Sequence, residues 1–247
     1  MLFSPVKRHQ SGTMPESWQS LKDGAWFLEQ EACRLSLWWP RFYGYYLVKV
    51  GPLASAFDCS AARVQRQWYI GQSGQVQCQG TELPLQGRSV DVLVMSHNLE
   101  YSTDPHQLMR EAERVLVDGG HLVLTGFNPL SLMHLCGFWR KTPPFDGHFY
   151  HPLRIKDWLA LLGFEVIADE RLLFGPLPGR NPQWLEALGE NYAHFLGGLY
   201  VLVARKRSIP LQLTPALGRR RQRAVVPVTG TVTGRVARQG GPKAHRE

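Results

Sequence analysis

No two cysteines in this sequence stand close enough to suggest a metal knuckle or a dense disulfide framework. Cys33, Cys59, Cys78 and Cys136 are scattered, with no C-x-x-C pair among them. Structural zinc sites and small disulfide scaffolds both require tighter spacing. Reduced, buried thiols are therefore expected. No N-terminal stretch joins a basic start, an uninterrupted apolar run and a small-residue cleavage site, so no leader is expected. No run approaches the ~20 apolar residues that cross a bilayer. These absences predict a cytoplasmic protein without a membrane span.

Charge is sparse as well, at 19% of residues, and its sign is unevenly placed. The formal net charge is +8. Between Ser208 and Glu247 lie Arg219, Arg220, Arg221, Arg223, Arg235, Arg238, Lys243 and Arg246, opposed only by Glu247. The remainder of the chain is thus nearly neutral. A basic surface for nucleic acid is not expected on the body of the protein. The tail lacks the interleaved aromatics that stack on single strands, so at most weak polyanion binding is expected of it. Arginine clusters, Pro, Thr and Gly replace apolar periodicity after Lys206, and 208–247 reads as a disordered basic tail.

What is present is core material. Hydrophobic residues make up 44% of the chain, including eight tryptophans and eleven phenylalanines, which suits a packed domain. Residues 1–22 read as an irregular lead-in. In Gly24–Trp39 the residues Leu28, Ala32, Leu35 and Trp39 fall at helical spacing, giving an amphipathic helix stopped by Pro40. Tyr45–Val50 reads as a buried strand ending at Gly51-Pro52. Ala56–Arg66 is weakly helical, Gln67–Ile70 is a short second strand, and a third has no clear position. Val90–Met95 is near-continuously apolar, as in strands buried on both faces. Asp104-Pro105-His106-Gln107 carries a cap acid and a proline at the first helical position. The helix it opens is expected to end at Asp118-Gly119-Gly120, before a strand at His121–Thr125. A further helix runs from Pro152 to a stop at Gly163. Phe164–Ala168 and Tyr200–Arg205 read as the last strands. Alternating strands and helices predict an α/β fold with a mostly parallel sheet covered on both faces.

Four segments carry a resemblance: Glu82-Leu83-Pro84-Leu85, Ser89–Val94, Ser96-His97-Asn98-Leu99-Glu100-Tyr101, and Glu113–Leu124. In this order and spacing they resemble the class I S-adenosylmethionine-dependent methyltransferases, particularly the type 11 small-molecule group. That group has a Leu-Pro-Phe turn, a fourth strand ending in a His-x-Leu-Glu-His-like loop, and Arg-Val-Leu-x-x-Gly-Gly before the fifth strand. Leu162–Val166 is similar to the start of its sixth strand. The likeness covers 42–207, with 1–41 as a lead-in and helix packed on it. It implies a Rossmann-like, seven-stranded sheet whose last strand is antiparallel, with the cofactor beyond the strands' carboxyl ends at the switch point. It implies methyl transfer from S-adenosyl-L-methionine to an O, N or C nucleophile, most simply of a small-molecule acceptor.

The likeness breaks in the first loop. Aligning Gly51 with the first glycine of Asp-x-Gly-x-Gly-x-Gly places Lys49 at the acidic position. Leu53 and Ser55 then replace the next two glycines. A modified cofactor loop and a methyltransferase-like interaction protein that no longer catalyses are both compatible with this pattern.

By the resemblance, Val50 and Gly51 touch the cofactor's amino-acid end, Gln79 and Gly80 its adenine, and Ser96 and His97 line the crevice. Each position also has an ordinary structural reading, as a turn, a polar loop or a packing contact. His97 and His148 are the candidate proton acceptors, and Tyr150 and His151 face substrate. Asp146 lies in the same segment. His148 and His151 without cysteine partners make a poor metal site, and no metal is expected. Phe127-Asn128-Pro129-Leu130 lacks the second proline and the aromatic of the Asn-Pro-Pro-Tyr pocket of nucleic-acid methyltransferases.

Overall fold

Six strands form one sheet in a computed structural model that describes residues 14–71, 74–76, 82–137, 147–175 and 194–207. They are β1 (Tyr43–Val50), β2 (Arg63–Ile70), β3 (Val90–Ser96), β4 (Leu116–Phe127), β5 (Phe164–Leu172) and β6 (Leu199–Lys206). The order is β2-β1-β3-β4-β6-β5, with β6 antiparallel to both its neighbours and every other pairing parallel. The strand order reverses beside β1, where β2 lies on one side and β3 on the other. That reversal opens a crevice at the carboxyl ends of β1 and β3.

The expected α/β architecture and antiparallel last strand are present. Among the described residues the sheet has six strands rather than seven. A single isolated parallel bridge joins Ile70, at the end of β2, to Val76.

Helices cover both faces. On one face, α1 (Gly24–Ser36) brings Phe27 and Leu35 onto Leu47, Val92, Val94, Val123 and Val201. On the other, α4 (Pro105–Val115) and α6 (Pro152–Leu161) bring Leu108, Met109, Ala112, Ile155 and Leu159 onto Val48, Leu93, Met95, Leu122 and Leu202. Strands buried on both sides need apolar residues at consecutive positions, which is why β3 and β4 read as continuous apolar runs. The remaining short helices are α2 (Pro52–Ser55), α3 (Asn98–Tyr101) and α5 (Leu132–Gly137). No helix among the described residues is long and apolar enough to cross a membrane.

The helix signals near Asp104 and Gly163 have the expected geometry. Asp104 accepts a hydrogen bond from the Gln107 N–H at 2.9 Å, with Pro105 at the first helical position. Gly163 takes φ +79° just after α6, the left-handed turn that ends helices. Three expectations are corrected. Ala56–Arg66 is not helical: α2 is one turn, and β2 already begins at Arg63. Asp118-Gly119-Gly120 does not stop a helix, because α4 ends at Val115 and β4 runs through these residues. Its end is capped from a distant strand: Lys206 Nζ donates to the carbonyls of Glu113 and Leu116 at 2.6 and 3.1 Å. The inward stripe of α1 is Gly24, Phe27, Glu31 and Leu35, with Leu28 and Ala32 only partly buried. The described part of the lead-in carries one short 3-10 turn, Trp18–Ser20, and sets Trp18 and Leu21 in the core.

Two of the resembling segments are physically joined. Arg114 donates to the carbonyls of Leu83 and Leu85, at 3.0 and 2.9 Å. Its neighbour Glu111 accepts the Leu83 N–H at 3.0 Å and is paired with Arg114 at 2.8 Å. The Leu83-Pro84-Leu85 turn is thereby clamped to α4.

Candidate active site at the carboxyl ends of β1 and β3

The end of β1 is built around Gly51. Its N–H donates to the Ile70 carbonyl at 2.9 Å, and its φ of +83° turns the chain sharply into α2. Such a backbone conformation is unstrained only for glycine. Space imposes the same choice. A Cβ here would stand 2.5 Å from Asn98 Nδ2, 2.9 Å from the Met14 methyl and 3.0 Å from Asn98 Oδ1. Val50 beside it is buried. Lys49, at the position where the resemblance expects an acid, does not turn its charge on Gly51: its Nζ donates to the Phe57 carbonyl at 2.7 Å.

Across from Gly51, β3 ends at Ser96, whose hydroxyl accepts from Thr125 Oγ1 at 3.0 Å in the core. His97 follows in a left-handed conformation, φ +56°. Its side chain is fully buried, with Nε2 bonded to Glu31 Oε1 at 2.8 Å and Nδ1 to Glu100 Oε2 at 3.0 Å. Burial alone pulls the imidazole down, but the charges and hydrogen bonds of Glu100 and Glu31 outweigh it and hold the ring at about 10. Burial pushes the Glu100 carboxyl up, against the opposing pull of His97 and of the Phe127 N–H that Glu100 accepts. The imidazole ring lies 4.3 Å from the ring of Phe127 and 5.5 Å from that of Trp18, centroid to centroid. Trp18 in turn donates its indole N–H to the Leu53 carbonyl at 2.8 Å. The lead-in and α1 are therefore walls of the crevice.

Two buried acceptor atoms at this place have no hydrogen-bond donor among the described residues: Asn98 Oδ1 and Glu31 Oε2. Buried polar atoms are nearly always satisfied, so each marks a place where a ligand or a water completes the site.

Val50, Gly51, Ser96 and His97 are brought together at adjacent strand ends. Gln79, Gly80, Asp146 and the tail lie outside the described residues. His148 is exposed, and its backbone N–H donates to the Glu100 carbonyl at 2.7 Å, which fastens its segment to α3. Tyr150 is half-buried against Trp158, 5.2 Å between ring centroids, and burial pushes its phenol up. His151 Nδ1 caps α6 by accepting the Leu153 N–H at 3.3 Å, and burial lowers its pKa. No group of metal-binding side chains occurs among the described residues. Sequence reasoning placed Asn98 in the loop after β3 without giving its side chain a role, and it missed Trp18 and Glu31 as parts of this site. Glu31 had a readable signal, since it stands four residues from both Phe27 and Leu35 and so interrupts an apolar stripe with a carboxylate.

Comparison with known proteins agrees with this construction. A family model described as a methyltransferase domain matches residues 34–124. The chain is 38% identical over 219 residues to the uncharacterized protein YafS of Escherichia coli, covering 86% of this chain and 90% of that one. Among solved structures, the fold matches the methyltransferase held by the Trm112 activator of Haloferax volcanii. That match has a TM-score of 0.55 and 16% identity, over 75% of this chain and 95% of that one. It also matches a methyltransferase of Archaeoglobus fulgidus, with a TM-score of 0.53 and 18% identity, over 74% and 97%. The chain therefore belongs to the family of YafS, carries a match to a methyltransferase domain over residues 34–124, and has the strand order and fold of the S-adenosylmethionine-dependent methyltransferases.

Proposed function

We propose that the crevice between Gly51 and Asn98 holds S-adenosyl-L-methionine and that the protein transfers its methyl group to an O, N or C nucleophile of a small molecule. The observation that carries this reading is Gly51 itself, a buried left-handed turn with no room for a side chain, facing a buried acceptor atom without a donor. The missing side chain lets the Asn98 carboxamide lie directly on the backbone where β1 ends, the place where the resemblance puts the cofactor's amino-acid end. Lys49 supports the reading, because its ammonium is bound to the Phe57 carbonyl and leaves the cradle uncharged. That removes one of the two arguments for an interaction protein with a dead cofactor site, the other being the glycines replaced by Leu53 and Ser55.

The bound cofactor supplies an electrophilic methyl group. The chain's own residues then have to align the acceptor and exclude water. Val50 and Gly51 offer backbone to the amino-acid end, Gln79 and Gly80 are assigned to the adenine, and Ser96 and His97 line the crevice through their backbone. Both nitrogens of the buried His97 ring are engaged by carboxylates. We assign it to fixing the turn rather than to taking a substrate proton. The exposed His148 is the remaining candidate base for a hydroxyl acceptor, and Tyr150 and His151 are assigned to the acceptor side. No metal takes part in this scheme. A cytoplasmic location is part of the proposal.

Thermal unfolding of the whole chain with S-adenosylmethionine or S-adenosylhomocysteine is the test. Ligand at a hundred times its dissociation constant adds about 2.7 kcal/mol. A saturable rise in midpoint that Gly51→Val abolishes is expected. A cooperatively unfolding sample that shows no rise at millimolar ligand overturns the reading.

A further inference from the structure

Within the cofactor reading above, the geometry points to Asn98 as the residue that receives the cofactor's α-ammonium, in place of the acid that the first loop lacks. Three observations converge on it. The carboxamide lies directly over Gly51, within 2.5–3.0 Å of where a Cβ would stand, so it fills the space at the turn leaving β1. The side chain is 9% exposed, and its Oδ1 has no donor among the described residues. An oxygen buried in this way needs an N–H or O–H. The other group pressed against Gly51, the Met14 methyl, supplies none.

The charges nearby narrow the choice of donor. Lys49, two residues before Gly51, would repel an ammonium if it pointed into the cradle, but the Phe57 carbonyl holds it elsewhere. On the turn that carries Asn98, the buried His97 ring is set between the carboxyl groups of Glu31 and Glu100. An ammonium supplies the N–H donors that this oxygen needs. Asn98 is also held firmly. Its predecessor His97 is locked by two carboxylates in a left-handed turn, and its helix α3 carries Glu100, which binds the Phe127 N–H. The carboxamide is therefore presented by a braced turn, the arrangement that makes a positioning residue effective.

The assignment is tested by calorimetric titration of the full chain with three ligands. S-adenosylhomocysteine carries ammonium and carboxylate, its decarboxylated form carries ammonium alone, and 5′-methylthioadenosine carries neither. Wild type is expected to bind both ammonium-bearing ligands more tightly than methylthioadenosine. Asn98→Leu, close in volume, is expected to weaken those two about tenfold, equivalent to about 1.4 kcal/mol, and to leave methylthioadenosine unchanged. Asn98→Asp is expected to keep the preference and make it salt-dependent. Thermal unfolding without ligand checks that both variants fold, and the aspartate variant stands alone if the leucine variant does not. Equal weakening of all three ligands overturns the proposal in favour of a shape role. So does a preference that follows the carboxylate, or no change in either variant. If wild type binds none of the three, the cofactor reading falls and takes this assignment with it. Binding of all three without discrimination by Asn98 variants removes only the assignment.

Discussion

At the scale of single residues, His97 is the most consequential side chain in the molecule. An imidazolium between two buried carboxylates is a paired charge, and removing it leaves Glu31 and Glu100 buried without a cation. Breaking such a pair costs about 3–5 kcal/mol. His97→Gln is expected to lose that much stability in urea unfolding, and a loss under 1 kcal/mol would contradict the ion-pair description. The same trio predicts a pH dependence. The folded chain holds the His97 proton up to about pH 10, whereas an unfolded histidine titrates near 6.5. Stability from this group is therefore complete below about pH 6.5 and declines as pH rises through about 10, because the folded state binds the extra proton. The raised Glu100 carboxyl acts in the same direction. Urea midpoints measured from pH 6 to 10 are expected to fall, and the fall to flatten in His97→Gln. A wild-type midpoint that rises over this range sinks the account.

At the scale of elements, the fold is held by clamps that join distant parts of the chain. Lys206, the last residue of β6, is 6% exposed and serves as the C-terminal cap of α4. Lys206→Met keeps the stem and removes the donor, leaving the Glu113 and Leu116 carbonyls unpaired. About 1–3 kcal/mol of destabilisation is expected, measured by denaturant unfolding, and a change below 0.5 kcal/mol would show that the cap is dispensable. This clamp explains one failure of the sequence reading. Asp118-Gly119-Gly120 looks like a helix stop because its chemistry is that of a turn, but the true stop is supplied by a lysine some ninety residues away. Local sequence cannot show a long-range cap. Where both faces of a strand are buried, the message is local, and Val90–Met95 was legible for that reason. Ala56–Arg66 misled because β2 lies at the sheet edge with mostly polar, exposed residues and carries no apolar alternation. The crevice was legible through Gly51 and the segment after β3. Its wall was not. Trp18 and Glu31 reach it only through tertiary packing, and Asn98 looks ordinary until Gly51 is set beneath it.

At the scale of the whole molecule, the distribution of charge separates two physical tasks. The residues before Ser208 are nearly neutral, and almost the entire positive excess lies in 208–247. The sheet closes before that segment begins. Lys206 ends β6, and the Arg207 N–H donates to the Gly163 carbonyl at 3.0 Å, which completes the turn beside α6. The hydrogen bonds and core contacts that define the crevice use residues from Met14 to Arg207. We therefore expect a chain truncated after Arg207 to keep the thermal midpoint of the full protein and the same shift with S-adenosylhomocysteine. Retention on a polyanion resin is expected to fall, and only the full chain should show a steep salt dependence, as counterion release by clustered arginines requires. Scanning calorimetry and salt-gradient elution of the two chains make the comparison. A midpoint several degrees lower in the truncated chain would mean that the tail packs on the body and that its arginines stabilise the fold. An unchanged midpoint with a lost cofactor shift would instead place the tail's function at the crevice, since only then would binding depend on it while folding did not.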